Sequence, residues 1–135
     1  FFADIPAEKR AQGTTDAKAQ YAGYFAVEYR VAPLPDRAYR ELLDECRGRG
    51  VRAAFVVMPE GPTFRGWYPP AAEARATDYL RRLAGEYDVP VFDASGWLAD
   101  DAAFADGHHL MRHGAEAFSR RFGAECVGPW VRGRR

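Results

Sequence analysis

Asp106 and His109 stand three residues apart in the run Phe104–Phe122, which also holds the chain's three histidines. A carboxylate at that spacing can accept the Nδ1 proton of the imidazole, fix its tautomer and leave Nε2 to act as a general base. Leu110 follows at once, and Gly114, Phe118 and Phe122 then recur every four positions, the spacing of one helix face. The pair is therefore expected on the turn that enters a helix.

The same residues offer a second chemistry. His109 and His113 are four apart, a spacing that can present two imidazoles to one metal ion, with Asp106 or His108 as a third ligand. The intervening Leu110, Met111 and Arg112 include no glutamate base, and the Arg112 cation is unfavourable beside a dication. Neither a metal nor any other cofactor is expected.

A nucleophile is harder to find. The chain has two serines. Ser119 falls inside the expected last helix, where its hydroxyl can turn back onto a carbonyl. Ser95 sits in Asp93-Ala-Ser-Gly96 after a strand, a context that suits a turn or cap better than attack.

Elements to position these groups can be traced along the chain. Residues 1–13 read as an irregular lead-in, and Thr14 or Thr15 offers an N-cap for a packing helix to about Tyr29. Asp36 is the expected cap of a second helix, with Tyr39, Leu42, Leu43 and Cys46 on its apolar face and Gly48 and Gly50 as its stop. Val51–Met58 is a nearly continuous apolar run, the pattern of a strand covered on both faces. A proline-rich loop, 59–70, follows. Pro70 opens a third helix with Ala72, Ala76, Tyr79, Leu80, Leu83 and Tyr87 as its buried face, and Val89–Phe92 is a second strand. Ligands bind past the carboxyl ends of strands in open α/β sheets. That rule makes Glu60, Thr63, Arg65 and Trp67 candidate substrate-binding residues, with Tyr68 in the same stretch and His108 beside the base.

The block DGHHLMRHGAEAFS resembles the last conserved block of the SGNH (GDSL-type) hydrolase and acyltransferase superfamily, in which DxxH, often followed by Leu, precedes a helix that begins Gly-Ala. The resemblance implies a three-layer, flavodoxin-like α/β fold. It also implies that Asp106 and His109 are two members of a Ser-Asp-His triad working by acyl transfer without a cofactor. It runs loosely back to about Pro35, and no GDS-type nucleophile block or following Gly and Asn blocks occur here. The expected arrangement is a lead-in with one helix (1–34), the carboxyl-terminal part of such a domain (35–128) and a tail (129–135). The nucleophile, and a domain or partner chain completing the sheet, would come from upstream. The implied substrate is an acylated small molecule or carbohydrate. A non-catalytic carbohydrate-binding or assembly module of the same fold is the competing expectation.

At 135 residues the chain has one domain's length, and 47% of its residues are hydrophobic. Its 19 basic and 19 acidic residues balance and are interspersed, which argues against a nucleic-acid partner. Two cysteines, Cys46 and Cys126, are too few for a disulfide framework, and one bond between them is left open. No apolar run approaches the roughly 18 residues that span a bilayer, and compartment is not legible.

Overall fold

A computed structural model describes residues 5–133. The expectations placed on residues 1–4 of the lead-in and on 134–135 of the tail lie outside the described residues. Six helices and two short strands follow in the order α1 (Ala7–Phe25), α2 (Pro33–Gly48), β1 (Phe55–Val57), α3 (Pro62–Arg65), α4 (Pro70–Tyr87), β2 (Val91–Asp93), α5 (Arg112–Phe122) and α6 (Gly128–Arg132). The class is mixed α/β and mostly helical.

The two expected strands are present but shorter than their apolar runs. β1 and β2 pair in parallel with Phe55 opposite Val91 and Val57 opposite Asp93, and these two strands are the whole sheet among the described residues. The apolar run Val51–Met58 contributes only its centre, for a local reason. Val51 donates its N–H back to the Cys46 carbonyl at 2.8 Å to close α2, and Met58 precedes Pro59, which has no N–H for a ladder. Val89 is likewise lost to β2, because its N–H closes the end of α4 on the Ala84 carbonyl. The strands are half-buried rather than enclosed.

Residues paired across a parallel ladder share a face, which sorts the helices into layers. Phe55 meets Tyr39 of α2, with ring centroids 5.9 Å apart. On the opposite face, Phe92 meets Phe122 of α5 and Trp130 of α6. Helix, two-stranded sheet and helix thus stack in that order. Leu83, Ala94, Phe104 and Met111 are the most enclosed apolar residues, and Cys46 and Cys126 are unbonded thiols.

Helix boundaries differ from the sequence reading at several points, and α1 ends at Phe25 rather than near Tyr29. α1 starts at Ala7 rather than after the threonines, and Thr14 and Thr15 donate their hydroxyls to the Arg10 and Ala11 carbonyls one turn back instead of capping. Asp36 lies inside the first turn of α2, with Pro33 occupying the helix start. It accepts from Arg40 Nε at 3.1 Å and from the Tyr79 hydroxyl at 3.0 Å, which ties α2 to α4. The expected tail from residue 129 is helical to Arg132. α5 runs through a wider i→i+5 turn at Gly123–Val127 into α6, and the Arg52 guanidinium covers Trp130 at 4.5 Å. No helix of the described residues is long and apolar enough to cross a membrane.

Gly114, in the first turns of α5, is in close contact with the chain that leads to the site. A Cβ there would lie 2.5 Å from the Ala103 carbonyl oxygen. Backbone cannot yield as a flexible side chain can, so Gly114→Ala is expected to cost about 1–3 kcal/mol of stability, read as a lowered urea midpoint with an unchanged slope.

Candidate active site

The site is built by a narrow loop. Phe104 pairs with Leu110 in an isolated antiparallel bridge, the Ala105 N–H reaches the His109 carbonyl at 2.8 Å, and the Met111 N–H reaches Ala103 at 2.8 Å. These bonds close the chain around residues 105–109 just before α5 begins. Gly107 at the tip has φ 96°, a conformation that side chains resist, and a Cβ there would meet Phe64 at 3.1 Å. The Gly107 carbonyl accepts the Gly61 N–H at 2.7 Å, so the loop after β1 holds the tip in place.

Within this loop Asp106 and His109 meet as their spacing predicts. His109 Nδ1 lies 2.7 Å from Asp106 Oδ2. An ionised carboxylate only accepts, so Nδ1 carries the proton and Nε2 is the acceptor of the neutral ring. Asp106 Oδ1 accepts the backbone N–H groups of His109 at 2.9 Å and His108 at 3.3 Å. Burial pushes the Asp106 carboxyl upward. The hydrogen bonds from the His109 side chain and the two amides outweigh it, and the group sits below its usual value. The orienting acid is therefore held ionised, and the His109 side chain is 54% exposed.

His108 faces inward. Its ring packs on Phe64 at 4.7 Å and edge-on to Tyr21 of α1 at 5.3 Å. Nε2 lies 3.4 Å from the Tyr21 hydroxyl, while the buried Nδ1 has no hydrogen-bond partner although Asp106 Oδ1 is 3.3 Å away. This ring is wedged behind the site rather than displayed to a substrate. Asp106, His108 and His109 each place a ligand atom within 4.8 Å of the others. His113 is not in that group, because His109 precedes the helix and the four-residue helical spacing does not apply. Asp106 already accepts three hydrogen bonds, from the His109 ring and from the His108 and His109 amides.

Burial lowers the His108 titration below its ordinary 6.5, against the pull of Asp106. Unfolded His108 therefore takes up a proton more readily than folded His108, so from about 6.5 downward the unfolded state binds more protons and stability falls with pH. The drop in Tm between about pH 7 and pH 5.5 should be shallower in His108→Phe, which keeps the ring stack on Phe64. Equal slopes would remove His108 as the cause.

The remaining candidates divide between two places. Glu60 and Arg65 line a cavity of about 540 Å³ at the carboxyl ends of β1 and β2, together with Tyr68, Asp93 and Ser95. The Glu60 carboxyl accepts the Tyr68 hydroxyl at 2.9 Å, and burial pushes it above the usual carboxylate range. Thr63 and Trp67 do not line this cavity. Thr63 gives its N–H and hydroxyl to Asp101 at 3.1 and 2.6 Å, which pins the start of α3. Trp67 packs against Phe64 at 4.9 Å beneath the Lys18 ammonium. Neither serine is bonded to the dyad: Ser95 Oγ donates to Asp93 at 2.7 Å, and Ser119 is exposed on α5.

No family model, curated protein or solved structure matches the chain.

Sequence reasoning missed Tyr21 and Phe64, which position His108, and Asp101, which holds Thr63. No local pattern marks these partners, since 38 residues separate Asp101 from Thr63 and 87 separate Tyr21 from His108.

Proposed function

We propose that this chain supplies the acid–base half of an acyl-transfer site of the SGNH hydrolase and acyltransferase kind, within a flavodoxin-like sheet completed by residues outside these 135. The 2.7 Å contact between His109 Nδ1 and Asp106 carries the reading, because it sets the tautomer a serine-activating base requires. The placement of the dyad after β2 and before α5 supports it. His109 Nε2 takes the proton of a serine hydroxyl, the serine oxygen attacks an ester carbonyl, and the leaving alcohol departs with that proton. Water or a sugar hydroxyl then releases the acyl group. Acylated carbohydrate is the substrate class proposed.

A second reading, a non-catalytic carbohydrate-binding module of the same fold, is favoured by the engagement of Ser95 with Asp93 and by the cavity beside it. A fluorophosphonate probe separates the two, since it labels only a serine activated by a neighbouring base. The full-length protein should be labelled on one serine, and His109→Ala should abolish labelling. Labelling that survives the substitution, or never occurs, would overturn the acyl-transfer reading.

A further inference from the structure

The cavity at the carboxyl ends of β1 and β2 is chemically asymmetric. Val57 and Val91 of the strands with Ala72, Ala76 and Leu80 of α4 form an apolar strip, flanked on the same helix by Glu73, Thr77 and Arg81. Arg65 and Ser95 stand on the polar side. The Arg65 Nε is buried and has no hydrogen-bond partner, and its guanidinium forms no ion pair among the described residues. No nearby acid is hydrogen-bonded to it: Glu60 feels the Arg65 charge but takes the Tyr68 hydroxyl, and Asp93 takes the Ser95 amide and hydroxyl. A cation desolvated on one side with its fork unfilled is costly to bury and ready to pair.

We propose that this cavity binds an amphipathic monocarboxylate, its carboxylate paired with the Arg65 guanidinium and its apolar body laid along α4. A planar carboxylate matches the guanidinium fork, and on a lining that carries Arg65 and Arg81 against Glu60, Glu73 and Asp93 a single negative charge meets less repulsion than a phosphate dianion. The volume of about 540 Å³ suits a ligand of small-molecule size. Gly96 is part of the device. The Arg65 Nη1 lies 3.1 Å from where a Gly96 Cβ would stand, so the absent side chain gives the guanidinium its seat. This site uses neither Asp106 nor His109 and stands whether or not the dyad turns over an ester.

The test is calorimetric titration of the protein with 4-phenylbutyrate, its primary amide and inorganic phosphate. Phenylbutyrate should bind saturably, and the amide should bind about tenfold more weakly or worse, because it cannot form the charged pair. That comparison uses only the unaltered protein and survives any failure of a variant to fold. Arg65→Gln should weaken phenylbutyrate by about tenfold or more, with Arg65→Lys intermediate. Gly96→Val should weaken it with the arginine still present, and His109→Ala should leave it unchanged. Equal binding of acid and amide, no saturable binding, tighter binding of phosphate, or Arg65→Gln binding as the parent does would each overturn the proposal.

Discussion

On the proposed acyl-transfer chemistry, His109→Ala should reduce ester turnover by about 10⁴-fold to 10⁶-fold, and Asp106→Asn by about 10³-fold to 10⁴-fold, in the full-length protein assayed with p-nitrophenyl acetate. The first loss is the removal of the base. The second is more informative because the carboxamide is nearly the same size as the carboxylate. Two backbone amides already hold Asp106 Oδ1, so an Asn keeps its oxygen there and turns its NH₂ toward His109. The ring must then accept at Nδ1 and carry its proton on Nε2, where it can no longer take one from a serine. Comparable activity in Asp106→Asn and the parent would show that the 2.7 Å contact does not set the reacting tautomer.

Phe104→Ala has the largest effect expected on stability, about 3–5 kcal/mol. Its side chain is 1% exposed and sits where the chain enters the site loop, opposite Leu110. Truncation leaves a void and removes a wall against Gly61. Since a domain of this kind is held by about 5–15 kcal/mol in total, a substantial unfolded fraction is expected near 37 °C. Urea denaturation of the variant beside Leu34→Ala gives the contrast. Leu34 is 78% exposed and its loss should fall within about 0.5 kcal/mol of the parent. A Phe104→Ala cost as small as that would mean that the loop is not anchored through this ring.

The dyad was legible in the sequence because everything that makes it is local. Asp106, the glycine at 107, His109 and the helix beginning at Arg112 lie within seven residues, and short-range geometry determines their contact. α4 was legible for a similar reason, since Pro70 and a regular apolar face mark its start and its side. The gathering of Glu60 and Arg65 at one strand edge followed from the topology of parallel sheets. The start of α1 was not legible. Gly13 looks like a breaker, yet it lies inside the helix where the backbone passes the Ala105 carbonyl closely. The extent of β1 was hidden because Val51 and Met58 are as apolar as the residues that pair, and only the competing bond to Cys46 excludes the first. Residue type alone suggests Trp67 and Thr63 as substrate contacts, but type does not say which neighbour a side chain has already found.

α1 buries only Ala17 outright, and it is held by the Arg10 bond to the Ala102 carbonyl and by the rings of Tyr21 and Phe25 against Phe64 and His108. A helix with thin anchorage thus backs the loop that holds Asp106 and His109. Partial openings of a protein begin where few apolar contacts must be surrendered. The helix should lift away at a free energy well below that of whole-molecule unfolding, and each such excursion would wet the inner face of His108 and loosen the hold on Asp106. The alignment of the dyad is therefore governed from behind, by how long a surface helix stays seated.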